Sequence, residues 1–233
     1  MSGLEAIQPL FFRHPVSATS HLLYAAWAVY ATALFARLGS DRVRRAAAVA
    51  FGLCLVALYV FSGLYHAVSP EWPQAVTLFR RLDLAAIHGL IAGTCTPVFV
   101  LLLAGRSRRW WLGALWTLAT AGAATKLLLP LPPFAVTLGL YVALGLVGLG
   151  PVGWQRDRLP PGALRWLLSG AAVYVSGGLM EALRWPHPWP GVVGPHELLH
   201  ACDMLGSTAH VVFTLRFVLR GGPSTSETVR PCC

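Results

Sequence analysis

Five residues from three separate parts of the chain have types and spacings that could do chemistry together. Ser62 and His66 stand four apart, His196 and His200 stand four apart, and Asp83 lies between the two pairs. Positions i and i+4 of a helix share a face, so each pair would point one way. Two imidazoles a turn apart can bind one metal ion, and a histidine from another helix makes a three-nitrogen set. Three protein nitrogens with an open fourth position is a catalytic zinc arrangement. Zinc matters chemically because it lowers the pKa of bound water to about 7. In this reading His66, His196 and His200 are the metal ligands. Asp83 orients or deprotonates the water, and Ser62 donates a hydrogen bond to that water or to Asp83.

The second histidine pair belongs to the stretch HELLH, His196 to His200. This also fits the zinc-protease pattern His-Glu-x-x-His, in which the glutamate is a general base. The extended protease pattern continues to a glycine and a third histidine. Asp203 and Gly206 stand at those two places, so the protease reading lacks its third ligand.

The elements that must position these residues follow from composition. The 233 residues are 56% hydrophobic and 12% charged, half the charge of an ordinary soluble domain at about 25%. The apolar residues fall in long runs, and a helix needs about 20 of them to cross a bilayer. This predicts an all-α membrane protein of seven transmembrane helices enclosing an intramembrane zinc site. The expected spans are 17–38, 46–66, 82–103, 110–129, 134–150, 163–183 and 195–219. They form one domain, 17–219, between a short N-terminal segment, 1–16, and a tail, 220–233, expected to be disordered. The polar and proline-rich stretches SDRVRR, GRSRR, PLPP and QRDRLPPG punctuate the runs. There is no sustained strand alternation and no internal repeat.

The net charge is +9. Most of the arginines lie in short loops between apolar runs, without the basic and aromatic interleaving of a nucleic-acid surface, so nucleic acid is excluded as a partner. With seven spans, thirteen of the 18 basic residues fall on the C-terminal side of the membrane and five on the N-terminal side. The positive-inside rule then predicts a multi-pass protein of the plasma (inner) membrane, its N-terminus outside and its C-terminus cytoplasmic.

Seven spans also set depths. His66 ends the second span, Asp83 begins the third, and His196 and His200 begin the seventh, all on one side. Residues this far apart in sequence have no structural reason to share a level. The polar stripe of the last span continues through Asp203, Ser207 and His210. At 1.5 Å per residue His210 lies roughly 15 Å from the level of His200. It is therefore expected to bond between helices rather than to the metal, while Asp203 could support His200 from behind. Simpler readings exist for other polar residues. His21 and His88 read as helix–helix hydrogen-bonding groups, and Glu181 with Arg184 as an ion pair. Arg80 or Arg81 could pair with Asp83 and make it structural. Trp110, Trp111, Trp166, Trp185 and Trp189 read as an aromatic belt. None of the cysteines forms a C-x-x-C pair. Cys54, Cys95 and Cys202 read as small hydrophobes, and Cys232 and Cys233 fall in the tail.

At these residues the sequence resembles the hemolysin III group of the progestin and adipoQ receptor family, which includes the adiponectin receptors. The matching stretches are FSGLYH (Phe61 to His66), RRLDLAAIHGLIAGTCTP (Arg80 to Pro97) and HELLHACDMLGSTAH (His196 to His210). Ser20-His21 is similar to the family's first-span Thr-His. The resemblance covers nearly the whole chain. It implies a seven-helix fold with zinc held by His66, His196 and His200, and it matches the family's aspartate and serine positions to Asp83 and Ser62. The wider superfamily includes alkaline ceramidases, which hydrolyse a lipid amide. The implied function is a zinc-dependent hydrolase of a lipid amide or ester, with a lipid substrate or ligand drawn from the bilayer. The alternative is a membrane receptor or signalling protein whose zinc is structural.

Overall fold

A computed structural model describes residues 13–39 and 41–220. The first twelve residues and the expected tail from 221 onward, with Cys232 and Cys233, lie outside them. Among the described residues the chain forms seven α-helices: α1 (Pro15–Leu38), α2 (Arg42–Ala67), α3 (Pro73–Leu102), α4 (Gly105–Leu128), α5 (Phe134–Gln155), α6 (Ala163–Leu183) and α7 (Pro195–Phe213). The last continues as a π-helical segment, Thr214–Leu219.

The helix starts follow local chemistry. Pro15, Pro73 and Pro195 occupy first positions, where a missing N–H costs nothing and the fixed φ suits a helix. The Asp41 side chain accepts from Arg44 N at 2.7 Å and caps α2. That cap carries α2 back to Arg42, four residues before the expected start at 46. The third helix departs further, beginning at Pro73 rather than 82. Its first turns, with Gln74, Thr77, Arg80 and Arg81, are too polar to read as apolar span, yet they hold helical structure. The fifth helix runs through Pro151 to Gln155, beyond the expected end at 150.

Five of the helices are long and apolar enough to cross a membrane: α2, α3, α5 with its 3₁₀ extension to Arg158, α6, and α7 with its π-helical end. The other two, α1 and α4, carry more polar and aromatic side chains, among them His21 and Tyr24, and Arg106, Arg108 and Arg109. The molecule is an all-α membrane protein. Its outer face is correspondingly apolar: Leu23, Leu53, Leu146, Leu183 and Leu205 are all more than half exposed, as suits contact with lipid. Trp110, Trp185 and Trp189 are exposed near helix ends. The other two expected belt residues, Trp111 and Trp166, pack instead against the core that contains Phe99 and Phe213.

Helices packed in lipid associate through close van der Waals contact and small residues rather than hydrophobic burial. The pairs α1–α2, α2–α3 and α6–α7 pack closely, whereas α5 leans mainly on α3 and touches α4 and α6 sparsely. The α6–α7 contact rests on glycines. A Cβ on Gly177 would stand 2.6 Å from the Cys202 Cβ, and one on Gly206 would stand 3.1 Å from the Gly170 carbonyl oxygen. No larger side chain fits there without moving a backbone, so α6 and α7 are held in one register.

Candidate metal centre

The histidines meet at the end of the bundle where α2 finishes and α7 begins. His66 sits in the last turn of α2 and His196 and His200 in the first two turns of α7. The His200 Nε2 atom lies 3.1 Å from His66 Nε2 and 3.1 Å from His196 Nε2. The ligand atoms of all three fall within 4.8 Å of one another, which would let them hold a single metal ion. His66 and His200 are 1% and 7% exposed. Their Nδ1 atoms have no hydrogen-bond partner, so packing rather than hydrogen bonding orients these two rings. Backbone contacts fix the end of α2: the His14 N–H donates to the His66 carbonyl at 3.0 Å and the Arg13 guanidinium to the Tyr65 carbonyl at 2.7 Å.

Two further histidines surround the set. The His21 ring stands edge-on to His200 with centroids 4.2 Å apart, and the His14 ring stands edge-on to His66 at 5.5 Å. The expected interhelical bond of His21 is replaced by one within its own helix, from Nδ1 to the Ser17 carbonyl at 2.7 Å. His14 lies outside the helices, where desolvation first and the Arg13 charge second hold it below the ordinary histidine range.

Asp83 is half-buried on α3. The Ser62 side chain lies close enough to influence its carboxyl group, and His196 lies within electrostatic reach. The possible salt bridge with Arg80 or Arg81 does not form. Arg81 instead donates to the carbonyls of Lys126 and Leu129, both at 2.8 Å, and so caps the C-terminus of α4. This frees Asp83 from an arginine partner.

The expected Glu181–Arg184 pair is also replaced. Arg184 takes a left-handed conformation, φ +53, in a Schellman end to α6: the Trp185 N–H donates to the Met180 carbonyl at 3.1 Å and the Arg184 N–H to the Glu181 carbonyl at 3.2 Å. The Glu181 carboxylate faces His196, with Oε1 3.5 Å from Nδ1. Sequence reasoning missed this contact because it paired Glu181 with its nearest basic neighbour along the chain.

The stretch HELLH is resolved by the start of α7. Glu197 reaches back so that its Oε2 accepts from Gly194 N–H at 2.9 Å. Gly194 has no side chain to reciprocate, so the glutamate makes the capping contact alone. Its carboxylate is thereby engaged with the helix end. Replacing Glu197 with alanine is expected to lower stability by about 0.3–1.5 kcal/mol, the usual worth of such a capping contact. Metal content should stay unchanged, as metal analysis beside thermal unfolding would report. Loss of the metal in Glu197→Ala would contradict the capping role.

The remaining stripe on α7 lies deeper. The Ser207 hydroxyl bonds both the Tyr59 and the Tyr174 hydroxyls at 2.8 Å, joining α2, α6 and α7. His210 was expected to bond across helices, but its Nδ1 has no partner. Its ring stacks on Tyr174 at 5.7 Å. His88 likewise leaves Nδ1 unpartnered and packs edge-on to Tyr141. Asp203, one turn beyond His200, faces a cavity of about 250 Å³ between α3, α5, α6 and α7. The cavity wall is almost wholly apolar. It follows α3 from Ile87 to Val98, a length of about 16 Å, and Leu199, Asp203 and His210 of α7 line it.

Comparison with known proteins agrees in extent with this architecture. A family model described as Haemolysin-III related matches residues 11–211. Hemolysin-3 of Bacillus cereus is 28% identical over 167 residues, 72% of either chain. The hemolysin-3 homolog of Bacillus subtilis (strain 168) is 25% identical over 167 residues, covering 72% of this chain and 74% of that protein.

Proposed function

The chain belongs to the Haemolysin-III related family, and on that premise we propose that it is a seven-span membrane hydrolase that cleaves a lipid amide or ester with zinc held by His66, His196 and His200. The observation that carries this reading is the convergence of three imidazole nitrogens from two helices, 3.1 Å either side of His200 Nε2. The donor set fits zinc. Bonds of about 2.0–2.1 Å in a tetrahedral site hold nitrogens roughly 3.3 Å apart. Zinc bound there supplies a Lewis acid and a water of pKa about 7.

The chain's own groups have distinct tasks in this scheme. Burial fixes the His66 and His200 rings. Asp83 accepts the proton released on attack and returns it to the leaving group, and Ser62 holds the Asp83 carboxyl in the orientation for that transfer. Asp203 lies behind His200 on the cavity side, and Ser207 and His210 continue the stripe that packs α7 against α2 and α6. The cavity receives a hydrocarbon chain and excludes water from its wall. In this reading α1 and α4 complete the seven spans, and the arginine-rich end of the bundle is cytoplasmic, with the histidine end outside.

The test is turnover by the purified protein in detergent. A panel of N-acyl and ester lipids is incubated with the metal-loaded, the chelator-stripped and the zinc-restored protein, and released fatty acid is measured by mass spectrometry. Turnover that disappears on stripping and returns with zinc supports the hydrolase. If stripping lowers thermal stability and no amide or ester is consumed, the zinc is structural and the receptor reading replaces it.

A further inference from the structure

The structure assigns Glu181 as the positioning residue of this metal centre, holding His196 in the tautomer and orientation that present Nε2 to the metal. The inference rests on the zinc reading above and adds a residue to it. The three histidines are not held alike. His66 and His200 are almost fully buried and their Nδ1 atoms have no partner, so the surrounding side chains fix their rings. The His196 side chain is 40% exposed, and packing alone leaves its ring free to turn. It is also the histidine whose far nitrogen meets a carboxylate, with Glu181 Oε1 3.5 Å from Nδ1. A proton on Nδ1 directed at Glu181 leaves the lone pair on Nε2, which is the atom facing His200 at 3.1 Å. A carboxylate on the outer nitrogen of a ligating histidine fixes its tautomer and raises its basicity. Glu181 stands at the ring edge opposite Nε2, so it acts through His196 and is not itself a ligand.

The fold supports the contact from both sides. The Schellman end of α6 takes the Glu181 carbonyl as an acceptor and fixes where that helix finishes. The glycine contacts at Gly177 and Gly206 hold α6 and α7 in register, so the Glu181–His196 separation is set by backbone packing rather than by two free side chains.

The experiment measures zinc affinity of the full chain in detergent by competition with a chromogenic chelator, for wild type, Glu181→Ala, Glu181→Gln and, as a control, Glu71→Ala at an exposed site. Glu181→Ala is expected to weaken zinc binding about 10–100-fold. Glu181→Gln keeps the shape and an acceptor oxygen without the charge, and should fall between. Glu71→Ala should match wild type. The visible spectrum of the cobalt-substituted protein should shift in Glu181→Ala, which a purely structural defect would not produce. If Glu181→Ala does not fold, Glu181→Gln carries the comparison. Wild-type affinity in the Glu181 variants overturns this inference alone. A wild-type protein that binds no zinc overturns the metal reading and this inference with it.

Discussion

Replacing His200 with alanine is expected to take zinc content from one ion per chain to essentially none. His200 is the hub of the set: its Nε2 lies 3.1 Å from both other ligand nitrogens. Removing it leaves two nitrogens, from His66 and His196, where three would hold the ion. His21 is the nearest imidazole to the gap, 4.2 Å from His200 between ring centroids. Its Nδ1 is committed to the Ser17 carbonyl, which ties the ring to its own helix. The matched control is His210→Ala. It also deletes a buried imidazole from the same face of α7, but roughly 15 Å along the helix. Both variants should lose stability from the void, by about 2–5 kcal/mol if the site behaves like other large-to-small core changes. Only His200→Ala should lose the metal. Metal analysis of the two purified proteins separates the outcomes, and full zinc content in His200→Ala would remove the three-histidine site.

Asp83→Asn separates chemistry from binding. The amide matches the carboxyl in shape and can still meet Ser62, but it cannot take a proton. Zinc affinity should therefore change little, while turnover of the lipid amide or ester falls by about 10²–10⁴-fold, the usual contribution of a positioned proton-transfer group. The readout is kcat at saturating lipid beside zinc content on the same sample. Wild-type kcat in Asp83→Asn would show that the proton goes elsewhere and leave Asp83 a structural role.

Much of this arrangement was legible in the sequence because a membrane imposes a ruler on it. Each apolar run spans a fixed thickness, so counting residues from a span end places His66, Asp83, His196 and His200 at one level. The same count would have placed His21, six residues into α1, and Glu181, two residues before the end of α6. Both have simpler partners nearby along the chain. Proximity pairs Glu181 with Arg184, which fails because Arg184 lies past the helix end in a left-handed conformation. Asp83 and Arg81 look like a salt bridge in the sequence, but the unpaired carbonyls at the end of α4 take the guanidinium instead. These are tertiary competitions between partners, and local spacing does not decide them. The polar start of α3 is hidden in the sequence for a related reason. Hydrophobicity reports where a helix enters lipid, not where it begins. The cavity was not legible at all, since it depends on α5 standing off from α4 and α6.

The capping contact of Glu197 has a wider meaning for how short motifs are interpreted. The pattern His-Glu-x-x-His names five letters and is silent about where the helix carrying them begins. Here it begins at Pro195, one residue before the motif, which puts the glutamate third in the helix, opposite an unpaired backbone N–H. Moved a few turns toward the middle of a helix, the same letters would leave that carboxylate with no backbone donor to satisfy and free to act on a substrate. The starting frame of the helix is thus a hidden sixth term of the motif. It reassigns the glutamate from chemistry to architecture while leaving both histidines in place.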